Sequence, residues 1–178
     1  MQNRGVVMAA DVHEGRIREL RARLARAGAD NVQPHVIIDE ADAEVSGFAA
    51  RSDRILVDAP CSGTGSWRRR PQARTNITAA DLDKLQQTQR GLLARAAASL
   101  KPGARLVYAT CSLLPEENER QVDWLVGQRS SLKVMRLAEI LGAAVAAPVS
   151  DESGTYLKLR PDLHGCDGFF LAVLRRSR

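Results

Sequence analysis

The sequence predicts an α/β fold, with a mostly parallel sheet covered by helices on both faces. Two observations support this prediction. Short apolar segments alternate along the chain with longer segments whose apolar residues recur at helical spacing. Acidic or cysteine residues follow several of the short segments, where the carboxyl ends of parallel strands meet a ligand. With 178 residues, the whole chain, 1–178, is expected to form one domain.

The first third of the chain contains three predicted strands and one predicted helix. Residues 6–10, 32–38 and 54–58 are short and apolar, as is typical of buried strands. Between the first two, apolar residues repeat at helical spacing over residues 17–27, and Gly28 marks the end of this helix.

A long helix and a strand are predicted next. Thr78 with Asp81 three residues later resembles a capping box, which predicts the start of the helix. Apolar residues then recur on one face until Lys101-Pro-Gly103 ends the helix, and residues 104–109 form a further apolar strand.

The last third of the chain is predicted to add a helix and two closing strands. Pro115, with Glu116 and Glu117 behind it, is typical of the first turn of a helix. Residues 138–148 are small and apolar without a clear period, which predicts a weak helix passing into a loop. Residues 156–159 and 169–174 are predicted strands.

Charge and hydropathy narrow the set of partners. Lys and Arg number 26 against 21 Asp and Glu, a net charge of +5 that favours a polyanionic partner such as RNA, DNA or a membrane surface. No apolar run is long enough to span a bilayer, and the N-terminus lacks the pattern of a signal peptide. We therefore expect a cytoplasmic protein with no membrane partner.

The three cysteines, Cys61, Cys111 and Cys166, are widely spaced and odd in number. This pattern favours reduced thiols over a disulfide framework. Any one of them, taken alone, is most simply a small buried residue. Cys166 lies near His164, but the spacings match no structural zinc pattern, so no metal is expected. A redox dithiol formed by Cys61 and Cys111 remains an alternative.

Two segments place a cysteine in a turn after a predicted strand: Asp58-Ala-Pro-Cys-Ser-Gly-Thr-Gly65 and Thr110-Cys-Ser112. They resemble the DAPCSGxG and TCS motifs of the bacterial 16S rRNA cytosine-5 methyltransferases and their Nop2/Sun relatives. Pro115-Glu-Glu-Asn118 and Asp167-Gly-Phe-Phe170 match that family too. The resemblance implies a Rossmann-like methyltransferase fold, S-adenosylmethionine as cofactor and an RNA substrate, rRNA before tRNA.

The same resemblance assigns roles to the two thiols. Methylation at C5 of cytosine needs a nucleophile at C6, and a thiolate can provide it. The family's pattern makes Cys111 this nucleophile and gives Cys61 to product release. Without the TCS motif, Cys61 would be the first choice of nucleophile, because methyltransferases acting on DNA use the cysteine of a Pro-Cys segment. Cys111 also precedes a predicted helix, whose dipole favours thiolate, although Glu116 and Glu117 oppose this effect.

Four further residues are assigned by resemblance to cofactor and base. Asp58 is expected to contact the cytosine edge and, with Pro60, to lie beside the methyl donor. Asp11 matches the acid that binds the cofactor ribose, and Asp39 the acid near the adenine, a role that Asp42 could also take. The alternative for Asp58 is a simple cap at the end of its strand. Asp11, Asp39, Asp58 and Cys111 are expected to meet at one edge of the sheet.

A basic segment follows the first cysteine. Its arginines could hold RNA phosphates while Trp67 stacks on a base, and a solvated basic loop is the alternative. Gln72 stands where the family usually has an acid. The predicted RNA-binding residues are Trp67, Arg68, Arg69, Arg70 and Arg74.

The family's first strand and its Gly-rich loop have no counterpart ahead of residue 6. The predicted domain is therefore incomplete, lacking the strand expected between those that end at Asp11 and Asp58 and the loop that holds the methionine end of the cofactor. We expect this chain, taken alone, to bind cofactor weakly and to have little or no activity. A non-catalytic RNA-binding remnant of such an enzyme is the alternative.

Overall fold

The computed structural model describes residues 1–39, 41–69, 71–72 and 77–177. The chain folds into two compact units, an N-terminal unit (Met1–Arg51) and a C-terminal unit (Ser52–Arg178), and each is described by itself. The single domain expected from the sequence stays a prediction. Within the described residues, no helix is both long and apolar enough to cross a membrane.

The N-terminal unit contains one strand–helix–strand repeat and a further helix. The two strands pair in parallel, with Val7 opposite Val32 and Asp11 opposite Val36. Gly28 ends the first helix in the left-handed conformation (φ +60°), as its position in the sequence predicts. The elements are β1 (Val7–Asp11), α1 (Glu14–Ala27), β2 (Val32–Val36) and α2 (Ala43–Arg51).

Helix α2 is absent from the predicted elements, and its composition explains why. It has nine residues, of which only Val45 and Phe48 are large and apolar, so its apolar face is too short for the sequence to indicate a helix clearly. Its start is instead fixed by Asp42, whose Oδ1 accepts hydrogen bonds from the backbone N–H groups of Glu44 (3.1 Å) and Val45 (3.0 Å).

The C-terminal unit is built on a five-stranded sheet in the order β3-β4-β7-β5, with β6 also paired to β7. β3 and β4 are parallel, whereas β7 runs antiparallel to β4, β5 and β6. The α/β fold class is confirmed. The elements are β3 (Arg54–Asp58), α3 (Ala79–Ser99), β4 (Arg105–Thr110), α4 (Glu119–Gln128), β5 (Leu132–Val134), α5 (Leu137–Leu141), α6 (Ala143–Ala146), β6 (Leu157–Leu159), α7 (Pro161–His164) and β7 (Phe169–Arg176).

The core of this unit lies between the central strands and the two longer helices. α3 packs on β3, β4 and α4, while α4 also contacts β5. The Tyr108 and Phe170 rings, which belong to neighbouring strands, meet edge to face at 6.3 Å. Fully buried apolar residues from both helices and both central strands complete the core: Leu93, Leu100, Leu106, Val122, Leu125 and Leu174.

Two predicted boundaries are wrong in this unit. α4 begins at Glu119 rather than at Pro115, because residues 115–118 form turns that direct the side chains of Glu117 and Asn118 into the protein interior. The weak helix predicted over residues 138–148 is a pair of short helices broken at Gly142. β5, which has three residues, is too short to show a strand pattern.

The capping box predicted for α3 is present. Thr78 accepts a hydrogen bond from the Asp81 N–H (3.2 Å), and the Asp81 carboxylate accepts one from the Thr78 N–H (3.1 Å). We expect Thr78→Ala to lower the free energy of unfolding by about 1 kcal/mol, because it leaves helix-end N–H groups without this partner. Urea denaturation measures the change.

Thr88→Ala is the matched control, since Thr88 lies on the same helix and its hydroxyl only donates back to the Lys84 carbonyl. We expect this control to change the free energy of unfolding by no more than about 0.5 kcal/mol. Equal effects of the two substitutions would contradict the assigned cap.

Candidate active site

Two loops at the carboxyl ends of neighbouring parallel strands bring a pair of thiols together. Cys61 follows β3 and Cys111 follows β4, and their Sγ atoms lie 3.3 Å apart. The Ala59 N–H donates to the Ala109 carbonyl (3.0 Å), which extends the pairing of the two strands up to the loops. The two cysteines of the sequence motifs therefore form one site.

The two thiols differ in acidity. A hydrogen bond from the Cys61 S–H lowers the pKa of Cys111 to about 7, against the opposing effects of burial and of the charges on Asp58 and Glu117. The same hydrogen bond, together with burial, raises the pKa of Cys61 well above its usual range. At neutral pH Cys111 is therefore the thiol that readily ionises, and Cys61 remains a protonated donor.

The sequence predicted that the dipole of the following helix would favour the Cys111 thiolate, and this prediction is wrong. α4 begins only at Glu119, so Cys111 does not lie at its N-terminus. The thiol of Cys61 takes over the role of stabilising the thiolate. The glutamates were expected to disfavour ionisation of Cys111. Glu117 does so, because its charge raises the pKa of Cys111.

The loop that contains Cys61 is held by a buried carboxylate. Glu117 accepts hydrogen bonds from the Ser62 backbone N–H (2.8 Å) and from Gln89 Nε2 (3.0 Å), and its second oxygen accepts from the Ser62 hydroxyl. Gln89 Nε2 also donates to the carbonyl of Pro60 (2.9 Å). The residues on both sides of Cys61 are thus tied to Glu117, directly or through Gln89.

The loop that contains Cys111 is held by the neighbouring residue, Asn118. Its Oδ1 accepts from the Thr110 hydroxyl (2.6 Å), and its Nδ2 donates to the Ser112 carbonyl (2.9 Å). All three of these residues are buried. Asn118 therefore connects the residues immediately before and after Cys111.

A third loop closes on the site through two glycines. The Gly65 N–H donates to the Cys111 carbonyl (2.9 Å), and the Gly168 N–H donates to the Gly65 carbonyl (2.8 Å). A Cβ atom on Gly65 would lie 2.4 Å from the Gly168 oxygen and 2.8 Å from the Cys111 oxygen. Any side chain at position 65 would push these loops apart, so the close approach requires glycine.

Asp58 and Pro60 flank the thiols on the exposed side. Both residues are exposed, while Ala59 between them is buried. Asp58 lies near enough to Cys111 for its charge to oppose ionisation of that thiol. An exposed acid beside a thiol can contact a base from solvent, and the roles of Asp58 and Pro60 toward base and cofactor stay predictions.

In the N-terminal unit, Asp11 ends β1 with its carboxylate already engaged. It accepts from the His13 N–H (2.8 Å) and pairs with Arg16 (3.2 Å). Burial raises the pKa of Asp11, but these two partners outweigh that effect and leave the pKa below its usual value. A ribose hydroxyl would have to share this carboxylate with Arg16.

Asp39 and Asp42 have different surroundings. Asp39 is exposed and, beside Ile38, borders an open cavity of about 370 Å³. The side chain of Asp42 is buried against His35 (2.8 Å), and that contact, with the cap of α2, lowers the pKa of Asp42 to about 2. Asp42 thus has a structural role, but it borders the same cavity as Asp39. The adenine-binding role stays a prediction for Asp39, with Asp42 as the alternative.

The predicted RNA-binding segment is described only in part. Arg69 Nε donates to Asp167 (2.6 Å), and Arg68 lies 3.7 Å from the same carboxylate, so neither arginine is unpaired. Trp67 is half-buried, and its indole N–H has no hydrogen-bond partner among the described residues. Arg70 and Arg74 lie outside the described residues. RNA contacts by all five residues stay predictions.

Comparison with known proteins decides the family. A model of the 16S rRNA methyltransferase RsmB/F family matches residues 1–175. This chain belongs to the RsmB/F family of 16S rRNA methyltransferases. Ribosomal RNA small subunit methyltransferase F of Cronobacter sakazakii is 36% identical over 99% of the chain, and that of Escherichia coli O9:H4 is 35% identical over 100%.

Solved structures agree with this assignment. A methyltransferase homologue from Pyrococcus horikoshii is 35% identical, with a TM-score of 0.74 over 99% of this chain and 55% of its own. NSun6 from the same organism, solved with SFG, is 29% identical, with a TM-score of 0.80 over 99% of this chain and 43% of its own. The Rossmann-like methyltransferase fold is confirmed. The chain spans 36% of the length of each bacterial RsmB/F relative.

The sequence motifs located both thiols of this RsmB/F chain but not the residues that hold them. Pro115-Glu-Glu-Asn118 was a recognisable motif, yet nothing in it indicated that Glu117 and Asn118 turn inward. Within the described residues, no group of three His, Cys, Asp or Glu side chains could hold a metal ion.

The acidity of Cys111 predicts a pH profile. Since only thiolate reacts with iodoacetamide, alkylation of Cys111 should reach half its maximal rate near pH 7, rising with pH. Cys61→Ala removes the donated hydrogen bond and should shift this midpoint upward by about 1 unit or more. Peptide mass spectrometry after timed alkylation measures the rate at Cys111.

Cys166→Ala serves as the control for this profile, because Cys166 is not part of the thiol pair, and it should leave the Cys111 midpoint where it is. An unchanged midpoint in Cys61→Ala would show that Cys61 does not set the acidity of Cys111.

Proposed function

We propose that this chain contains the catalytic thiols of an RNA cytosine-5 methyltransferase, which modifies rRNA with S-adenosylmethionine as methyl donor. The observation that supports this proposal most strongly is the contact between the two motif thiols, whose Sγ atoms lie 3.3 Å apart. At this distance a hydrogen bond from Cys61 lowers the pKa of Cys111. Membership of the RsmB/F family supports the choice of substrate.

Cys111 begins the reaction. Its thiolate adds to C6 of cytosine, and the electrons of the C5=C6 double bond move toward C5 and the ring, which makes C5 nucleophilic. When bound, S-adenosylmethionine supplies an electrophilic methyl group to C5. Asp58, exposed beside Cys111, can accept a hydrogen bond from the exocyclic amine or from protonated N3 of the base.

Cys61 acts in the release of the product. After methylation, C5 loses its proton to a base, the C6–Sγ bond breaks and the C5=C6 double bond forms again, leaving Cys111 as thiolate. The Cys61 S–H, 3.3 Å from this sulfur, donates a hydrogen bond to the departing thiolate and makes it a better leaving group. This contact gives a physical reason for two cysteines where only one forms a bond to the base.

In the N-terminal unit, the resemblance to the family gives Asp11 and Asp39 to the cofactor. Acceptor-only carboxylates, as at Asp11 and Asp39, fit the hydroxyl and amine donors of a nucleoside. Asp11 already forms an ion pair with Arg16. A hydrogen bond from a ribose hydroxyl to Asp11 would therefore weaken this ion pair. Arg68 and Arg69 can bind RNA phosphates once they leave Asp167.

Methyl transfer separates the roles of the two thiols. With unmodified small-subunit rRNA and labelled S-adenosylmethionine, we expect Cys111→Ala to abolish whatever methyl transfer the chain shows, because the addition to C6 is lost. Cys61→Ala should instead accumulate a covalent protein–RNA adduct, visible on a denaturing gel, because elimination is slowed.

Cys166→Ala is again the control and should transfer methyl groups at the rate of the unmodified protein. Full activity of Cys111→Ala, or an adduct that forms in its absence, would overturn the assignment. Salt-dependent RNA binding without methyl transfer under any condition would favour the alternative, a non-catalytic RNA-binding module.

A further inference from the structure

The thiol chemistry leaves one buried charged group unexplained. Glu117 is fully buried, yet it takes no part in the addition, methylation or elimination steps. Burying a carboxylate is unfavourable unless donors replace its water, and this one keeps its place in the core through a specific set of donors. Their location indicates what Glu117 does.

Among the described residues, Glu117 accepts three side-chain hydrogen bonds, and all of them lead to the Cys61 loop. Two come from Ser62, the residue after Cys61, through its N–H and its hydroxyl. The third comes from Gln89 of α3, which uses the same Nε2 to hold the carbonyl of Pro60, the residue before Cys61. The backbone of Glu117 is fixed as well, because its carbonyl accepts from the buried Tyr108 hydroxyl (2.6 Å).

The next residue holds the other thiol in the same way. Asn118 accepts from Thr110 and donates to Ser112, the two residues that flank Cys111. Consecutive residues therefore hold the two thiol loops, one each. Because the two residues are adjacent in the chain, a single peptide unit links the side chain that holds one loop to the side chain that holds the other.

We propose that Glu117 and Asn118 are positioning residues that set the separation of the Cys61 and Cys111 thiols. Their effect on methylation rests on the proposed function, but their effect on the thiols does not. Displacing either loop would lengthen the Sγ–Sγ contact, so that Cys61 no longer stabilises the Cys111 thiolate.

The hydrogen-bond pattern shows which substitution should preserve the geometry. Oε1 of Glu117 accepts from both N–H donors, and Oε2 faces the Ser62 hydroxyl, which can accept as well as donate. A glutamine can place its oxygen toward the two N–H donors and its NH₂ toward the hydroxyl. Glu117→Gln should therefore keep the loop in place, while Glu117→Ala and the shorter Glu117→Asp should release it.

The rate at which Cys61 and Cys111 form a disulfide depends on the separation of their sulfurs, and this measurement needs neither RNA nor cofactor. Diamide takes up the two thiol hydrogens to become a hydrazine, and the sulfurs join as a disulfide, so the protein loses two hydrogens. In the first step one thiol adds to diamide. In the second step the other thiol attacks the sulfur of this adduct and displaces the hydrazine, so the rate depends on how closely the two thiols are held. We expect Glu117→Ala and Glu117→Asp to slow closure by about tenfold or more, and Glu117→Gln to restore it to within about threefold.

Glu116→Ala is the matched control. Glu116 is the adjacent acid, but its side chain pairs with Arg120 on the surface (2.8 Å), so its loss should leave closure unchanged. Closure is followed by peptide mapping of the 61–111 disulfide, in a Cys166→Ala background that excludes other pairings. Far-UV circular dichroism and thermal melting establish that each variant is folded.

A second readout separates positioning from a general loss of stability. In folded Glu117→Ala and Glu117→Asp, the midpoint of Cys111 alkylation should rise by about 1 unit or more, because the hydrogen bond from Cys61 is the chief cause of its low value. Glu117→Gln should not raise it, since it also removes a charge that opposes ionisation. A merely structural residue would change stability without moving this midpoint.

Ser62→Ala keeps the test decisive if Glu117→Ala and Glu117→Asp do not fold. It removes one donor to Glu117 rather than the buried acid, and should slow closure about threefold or more. Folded variants that close as fast as the unmodified protein, with the same alkylation midpoint, would overturn the proposal. If closure rates and alkylation midpoints change as expected in these variants but the unmodified protein transfers no methyl groups, the result counts against the proposed function and not against the positioning role.

Discussion

A buried carboxylate must be surrounded by donors. In this chain two of the donors to Glu117 belong to Ser62 in the loop that contains Cys61, and the third is Gln89 of α3, which also holds the Pro60 carbonyl of that loop. The rest of the site follows from this requirement. Asn118, the next residue, holds the loop with Cys111. Because parallel pairing of β3 and β4 already places the two loops side by side, these side chains need only to fix the final separation of the thiols.

The acidity of the site is a consequence of that separation. A thiol in a half-buried loop would ordinarily ionise with difficulty, and two nearby acids oppose ionisation further. The S–H of Cys61 reverses this balance for Cys111 and at the same time keeps Cys61 protonated. One hydrogen bond thus accounts for both the low pKa of Cys111 and the high pKa of Cys61. The Gly65 N–H, which donates to the Cys111 carbonyl, ties the two loops together as well.

The sequence could predict the elements that depend on local patterns. The strands predicted over residues 54–58 and 104–109, the capping box at Thr78 and the glycine stop at Gly28 all follow from neighbouring residues, and each is present to within a residue. Both thiols were found because their motifs are contiguous. Helix α2 is short and has only two large apolar residues, Val45 and Phe48, so its pattern is weak. The inward turn of Glu117 depends on Ser62 and Gln89, which are remote in the chain. The pairing of Arg69 with Asp167 is equally non-local.

The central claim, that Cys111 attacks C6 of cytosine, can be tested without a methyl donor. Addition at C6 makes C5 basic enough to take a proton from water, and the reverse steps then exchange the original C5 hydrogen. RNA labelled with tritium at C5 of cytosine should therefore release tritium to water when incubated with this chain, and Cys111→Ala should abolish the release. Release by Cys111→Ala at the rate of the unmodified protein would contradict the account.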